Sequence, residues 1–211
     1  IIQENKKLLG YMRIIQILSF ILLSAGVIVP QSNPGARQIA LSHSDAALAN
    51  DVFAIFNNPA GLSQMNWREI GIFYSPSPFG LKELSNGFAA YHEHFSFGSL
   101  AAGFMTYGFD LYRENKITLA YSYNHRNIFF AGIAVNTHTL NISNYGDDIS
   151  LSFDAGLLTY LTNQLRFGFT IRNFTRSTFG KEKGQIPVII NSGFSYDLLH
   201  NLSLNLSVEK D

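Results

Sequence analysis

The chain has 211 residues, with fifteen Lys plus Arg against fifteen Asp plus Glu, so it carries no formal net charge and no basic stripe to hold nucleic-acid phosphates. It contains no cysteine, which excludes disulfide scaffolds, thiolate zinc sites and cysteine nucleophiles. Charged residues make up only 14%, below the roughly 25% of typical soluble domains, while eighteen Phe, ten Tyr and seventeen Gly are high for this length and suit strands with aromatic girdles and close backbone approaches.

In chain order, Ile1–Tyr11 read as translated sequence upstream of a natural start at Met12. Arg13 then precedes an apolar run from Ile14 to Val29 that ends in small residues and Pro30. This is the layout of a secretory signal peptide over 12–31, with cleavage expected near Ser24–Gly26 or close to Gln31. The run is shorter than the roughly 20 residues of a spanning helix. An uncleaved anchor is the alternative, and a lipoprotein anchor is excluded because no Cys follows Leu23-Ser24-Ala25-Gly26.

Residues 32–66 are too apolar and Ala-rich for a linker and too irregular for a strand. Asn58 stands before Pro59, where it can cap a short helix, since proline is tolerated in a helix's first turn.

From Trp67 onward, segments of alternating apolar and polar residues predict nine strands: 67–74, 86–95, 98–108, 116–125, 127–138, 149–161, 164–173, 187–197 and 201–209. Successive side chains of a strand point to opposite faces. Leu165, Phe167, Phe169 and Ile171 therefore oppose Gln164, Arg166, Gly168, Thr170 and Arg172. Ile117, Leu119, Tyr121 and Tyr123 likewise oppose Thr118, Ala120, Ser122 and Asn124. Ile149, Leu151, Phe153, Ala155 and Leu157 oppose Ser150, Ser152, Asp154 and Gly156, and Leu202, Leu204, Leu206 and Val208 oppose Ser203, Asn205, Ser207 and Glu209. The second and third strands do not reveal their faces.

Strands of about 9–11 tilted residues match a bilayer crossing. The connections alternate between long (75–85, 109–115, 139–148, 174–186) and short (around 96–97, 126, 162–163 and 198–200). Such sorting belongs to transmembrane barrels, with short periplasmic turns and longer extracellular loops. The expectation is an all-β, antiparallel, up-and-down transmembrane barrel over 67–211, behind a short helical N-terminal hatch over 32–66. Bacterial single-chain barrels use even strand numbers. Nine strands, the last running out at Lys210-Asp211, predict a piece of a larger barrel.

Gly35-Ala36-Arg37, then Asn50-Asp51, then Asn57-Asn58-Pro59-Ala60-Gly61-Leu62, resemble the start of FadL-like outer-membrane proteins, closest to the PorV/PorQ-like branch. Ile186-Pro187 opening the eighth strand is similar to the Leu/Ile-Pro that opens a later strand in the same branch. The resemblance implies a mature N-terminus that plugs the barrel as a hatch, with Gly35, Ala36, Arg37, Asn50, Asp51, Asn58, Pro59, Ala60 and Gly61 as its motif. It also implies passive transport of hydrophobic small molecules, or, for the PorV/PorQ-like branch, a shuttle or scaffold in type IX protein secretion. One departure is that Ser42-His43-Ser44 stand where the family has a Gly-rich stretch.

No catalytic constellation is present in the sequence, and no cofactor or metal is expected. His92 and His94 share a strand face without a third ligand at suitable spacing, and zinc sites use three or four. Ser42-His43-Ser44-Asp45 holds triad residue types but reads as a hatch surface feature, because a triad is made by geometry. Asp154, Arg166 and Arg172 are expected to face the lumen. There they either form an Arg–Asp pair that fills the interior or line a pathway. Trp67, Tyr74, Tyr107, Tyr112 and Tyr196 are expected in aromatic girdles. The expected partners are outer-membrane lipid, a hydrophobic small molecule and secretion-system proteins, in the outer membrane of a Gram-negative bacterium. A structural barrel without transport, or a soluble sheet with a second layer over its apolar faces, are the alternatives.

Overall fold

A computed structural model describes residues 34–180, 184–199 and 202–211. The expected upstream segment and signal peptide lie outside the described residues. The fold is mostly β, with one large antiparallel sheet and a few short helices.

The N-terminal segment contains α1 (Ala36–Ala40), α2 (Ala54–Asn57) and a 3₁₀ helix (Pro59–Gln64). The expected cap is present: Asn58 Oδ1 accepts a hydrogen bond from the Ala60 N–H at 3.2 Å. The strands follow as β1 (Glu69–Ser75), β2 (Asn86–Phe95), β3 (Gly98–Phe109), β4 (Tyr112–His125), β5 (Phe129–Ile142), β6 (Gly146–Tyr160), β7 (Leu165–Arg172), β8 (Thr178–Phe179), β9 (Gly184–Gln185), β10 (Ile189–Leu199) and β11 (Leu202–Lys210). Nine of them form one meander in the order β1-β2-β3-β4-β5-β6-β7-β10-β11, and β8 pairs with β9 in a small hairpin. The nine match the expected strands in order and approximate span, with β1 and β11 at the two edges of the sheet.

Two expected long loops are not loops. Residues 109–115 and 139–148 belong largely to β3–β4 and β5–β6 hairpins. Their ladders continue through Glu114↔Tyr107, Tyr112↔Phe109, Leu140↔Asp148 and Ile142↔Gly146. Apolar alternation stops in these stretches, but backbone pairing does not need it. A ladder needs only extended residues and a register carried over from the paired strand. The turn-length parity therefore holds only for the β1–β2 and β7–β10 connections. The latter also contains the unforeseen β8–β9 hairpin, so Pro187 precedes β10 rather than opening it.

Face assignment is clear throughout. Thr118, Ala120 and Ser122 of β4, Ser150, Ser152, Asp154 and Gly156 of β6, and Arg166, Gly168 and Thr170 of β7 are buried on one face. Ile72, 77% exposed, and Ile117, Leu119, Ile149, Leu151, Leu204 and Leu206 project from the other. β2 and β3 bury Phe88, Ala90 and His92, and Ser99, Ala101, Gly103 and Met105. Runs such as Ala89-Ala90 and Ala101-Ala102-Gly103 hid this, because both faces carry small residues. The sheet is thus covered on the face that carries its small and polar residues together with Phe88, Met105, Phe130 and Leu158, while among the described residues no second layer covers its other, apolar face.

The cover is the N-terminal segment. Val52 packs at Gly71 of β1, and Ala46 packs at Gly168 of β7 and Gly193 of β10. Six residues of chain span at most about 20–22 Å, whereas β1 and β10 of a flat sheet in this order would lie about 34 Å apart at normal strand spacing. The sheet must curl around the segment. The hydrophobic core lies in this contact: Val52, Ala54, Ile55, Phe56, Leu62 and Met65 pack on Phe88, Ala90, Ala101, Met105, Ala120 and Ala134.

Tyr107 and Tyr112 depart from the expected girdle. Tyr107 packs against the inner core and the Tyr112 hydroxyl donates to Glu114, both on the inner side of their strands. Trp67, Tyr74 and Tyr196 are exposed.

Candidate functional site

The site is the contact between the N-terminal segment and the inner face of the sheet. Arg37 Nη1 donates to Asp51 Oδ2 at 3.1 Å, so Gly35-Ala36-Arg37 and Asn50-Asp51 meet. Asp51 also accepts from Gln38 Nε2 at 2.7 Å and from the Phe53 N–H at 3.0 Å. Ala36 and Asn50 are exposed beside this junction, and Gly35 is buried. Gly35 has φ 109, a backbone conformation that side chains disfavour.

Arg37→Ala is expected to cost no more than about 1 kcal/mol, since the pair is partly exposed. Asp51→Ala is expected to cost about twice as much, because it strips two further donors of their acceptor. Unfolding midpoints of the two variants check the order, and equal shifts would show that Asp51 acts only through Arg37.

Asn58 is completely buried. Besides capping, its Nδ2 donates to the Ala46 carbonyl at 2.7 Å and to the Leu157 carbonyl of β6 at 3.2 Å. It therefore ties three pieces together: the 46–49 stretch, the 3₁₀ helix and the sheet. Ser122 of β4 donates to the Ala60 carbonyl at 3.0 Å, and its Oγ lies 2.8 Å from Ser63 Oγ. Tyr160 of β6 donates to Gln64 Oε1 at 2.9 Å.

Sequence reading missed the other half of this contact. Gly132 and Gly156 are register partners on β5 and β6, and Gly168 and Gly193 are partners on β7 and β10. A Cβ on Gly132 would lie 2.4 Å from Ala60 N, and one on Gly168 would lie 2.0 Å from the Ala46 carbonyl oxygen. Only glycine lets the segment's backbone come this close. A signal was available, since Gly156 and Gly168 both fall at inward positions of alternating strands.

On the opposite side of the wall, over Gly132 and Gly156, lies an apolar depression of about 410 Å³. Ala131 and Ala155 line it, with Tyr121, Tyr123, Leu157 and Phe169 around them.

Asp154, Arg166 and Arg172 all lie on the inner side, but the Arg–Asp pair forms differently than expected. Arg166 pairs with Asp197 of β10 at 2.7 Å and also reaches Ser195 at 3.2 Å. Arg172 pairs with Glu209 of β11 at 3.0 Å. Asp154 accepts from Asn136 Nδ2 at 2.7 Å and from the Asn173 N–H at 2.8 Å. Alternation along β7 identified the face, whereas the partner depended on which strand came next in the sheet. His92 Nδ1 lies 3.0 Å from the Trp67 carbonyl and His94 Nδ1 lies 3.3 Å from Ser99 Oγ, so the two histidines have separate partners.

The Ser42–Asp45 turn is the expected surface feature only at Ser42: His43 and Ser44 are half-buried and Asp45 is buried. Ser42 and His43 have φ 51 and 58, in the left-handed region where glycine would sit without strain. Asp45 is only 2% exposed and accepts from Asn57 Nδ2 at 2.6 Å. Burial pushes its carboxyl up to about 7. Burial, aided by Arg172, holds His43 below the usual histidine range.

These features define an all-β protein whose inner sheet face grips a folded N-terminal segment. The chain matches no protein-family model and no curated protein.

Proposed function

We propose that this chain is an outer-membrane protein of the FadL-like, PorV/PorQ-like kind, in which the curled sheet is barrel wall and the N-terminal segment is its hatch. The observation that carries the reading is the outer face of the sheet, a continuous array of exposed Leu, Ile and Phe side chains with no layer over it among the described residues. A lipid environment covers the outer face at no cost to the Leu, Ile and Phe side chains exposed there. The reading requires that the edges of β1 and β11 be paired in the membrane, since each unsatisfied backbone group there costs several kcal/mol.

Passive transport of hydrophobic small molecules is the favoured activity. The apolar depression lies across the glycine-thinned wall from Asn58–Ala60, so an apolar solute seated there would be separated from the hatch by the backbone of β5 and β6. The alternative is a role in type IX secretion through contacts with secreted or secretion-system proteins. Phe79 at 87% exposure, with Tyr145 and Leu111, supports it by placing apolar side chains at connections on one end of the sheet. A structural barrel without transport is the remaining reading.

Leu119→Arg on the outer face tests the membrane placement. An Arg facing mid-bilayer costs about 2–4 kcal/mol, so the variant is expected to lose heat-modifiable, membrane-fraction protein while Lys82→Arg in the β1–β2 connection does not. A Leu119→Arg protein that fractionates and migrates as the parent does would overturn the placement. Uptake of a hydrophobic dye by vesicles containing the protein then separates transport from the other roles.

A further inference from the structure

We propose that Asp45 is a proton-operated latch of the N-terminal segment, holding the 45–49 stretch against α2 and the sheet when its carboxyl is neutral and loosening that contact when it ionises. This needs only the packed segment, and so stands apart from the membrane reading.

The 45–49 stretch is clamped between two surfaces. On one side, Asn57 Nδ2 reaches Asp45 at 2.6 Å, Asn58 Nδ2 reaches the Ala46 carbonyl at 2.7 Å and Gln64 Nε2 reaches the Ala49 carbonyl at 3.0 Å. On the other side, Ala46 lies against Gly168 and Gly193. The carboxyl is thus enclosed where water cannot solvate a charge. Asn57 Oδ1 is buried without a hydrogen-bond partner among the described residues. A neutral carboxyl serves either orientation of the Asn57 amide, because it can accept from Nδ2 or donate to Oδ1, whereas a carboxylate can only accept.

The charged groups around Asp45 do not offset burial. A hydrogen bond from Asp45's own backbone N–H favours ionisation, Asp51 disfavours it, and Arg172 of β7 and Arg37 of α1 each favour it less than Asp51 opposes it. Arg37 is paired with Asp51 at 3.1 Å, and Arg172 with Glu209 at 3.0 Å. The carboxyl is therefore held at about 7 in the packed segment, against about 4 when free.

The sign follows from linkage. Below pH about 4 both packed and released forms are protonated, and packing is tightest. Between pH about 4 and 7 the released form ionises first, so packing weakens as pH rises, and above 7 it levels off. His43 acts oppositely. Its charge is disfavoured by packing, so its contribution is present above its free value of 6.5 and is lost as pH falls.

The chain has no cysteine, so one introduced thiol reports cleanly. Val52→Cys buries a thiol in the segment's core contact. Its reaction with 4,4′-dithiodipyridine is followed in the full chain carrying His43→Asn, which removes the opposing titration and tolerates the left-handed φ. The rate with Asp45 is divided by the rate with Asp45→Asn at each pH, cancelling the thiol's own ionisation. The ratio is expected near one at pH 4, rising at least tenfold by pH 7 and level beyond. A flat ratio overturns the latch. If Asp45→Asn fails to pack, the Asp45 chain is compared with itself in urea. Protection must then fall at least tenfold over the same range, and constant protection again overturns the proposal.

Discussion

Gly156→Val is expected to drive the Asn58–Ala60 turn off the sheet while leaving the sheet itself paired. A Cβ at Gly156 would lie 2.2 Å from Asn58 Oδ1, 3.0 Å from Pro59 Cδ and 3.2 Å from Ala60 N. Its register partner Gly132 faces the backbone of Pro59 and Ala60. The nearest obstacle is the Asn58 side chain, which cannot rotate away without giving up its hydrogen bonds to Ala46, Leu157 and Ala60. Overpacking commonly costs about 1–3 kcal/mol, and the hydrogen bonds that fix Asn58 place this site at the upper end. About 3 kcal/mol multiplies the open population of the segment roughly 150-fold, and cleavage of a transiently opened segment follows that population. Trypsin cleavage after Arg37 should accelerate accordingly. Gly87→Ala is the control, since a Cβ there meets Thr106 Cγ2 at an ordinary 3.4 Å. If Gly156→Val is cleaved no faster than Gly87→Ala, the close approach does not hold the segment.

Asn58→Ala is expected to destabilise the packed segment by about 2–4 kcal/mol, the sum of a lost cap and of a buried and a partly buried carbonyl deprived of their donor. The carbonyls are those of Ala46 and Leu157, one within the segment and one on β6. Asn58→Asp separates the two roles. Aspartate caps as well as asparagine, but it cannot donate, and at a fully buried position it sets a carboxylate beside two carbonyl oxygens. Its denaturation midpoint should fall at least as far as that of Asn58→Ala. Parent-like stability of Asn58→Asp would mean that Asn58 only caps the 3₁₀ helix.

The two substitutions probe opposite sides of one contact, and the two sides were unequally readable. Asn58 declared itself through its position before Pro59, a local signal that capping chemistry explains. Arg37 and Asp51 were visible as parts of one motif, but nothing local indicated that they would meet at 3.1 Å. Gly132 resembled any small residue in a strand until β5 and β6 were aligned and the turn was laid across them. Asp45 appeared with Ser42 and His43 as a polar surface turn, because burial of a polar run is decided by what packs over it.

Alternation along the chain by itself determined where most strands lie in the sequence and which two faces they present, because a strand's side chains reverse with every residue whatever lies around it. Local chemistry also determined the Asn58 cap. Only the tertiary structure decided the rest. It extended β3–β4 and β5–β6 into stretches with no apolar pattern, since a ladder propagates from its neighbour. It turned Tyr107 and Tyr112 inward, paired Arg166 with Asp197, and brought Ala46 and Val52 to opposite parts of a curled sheet. These outcomes depend on register and curvature, which arise when distant strands pair, and no single stretch of sequence carries them.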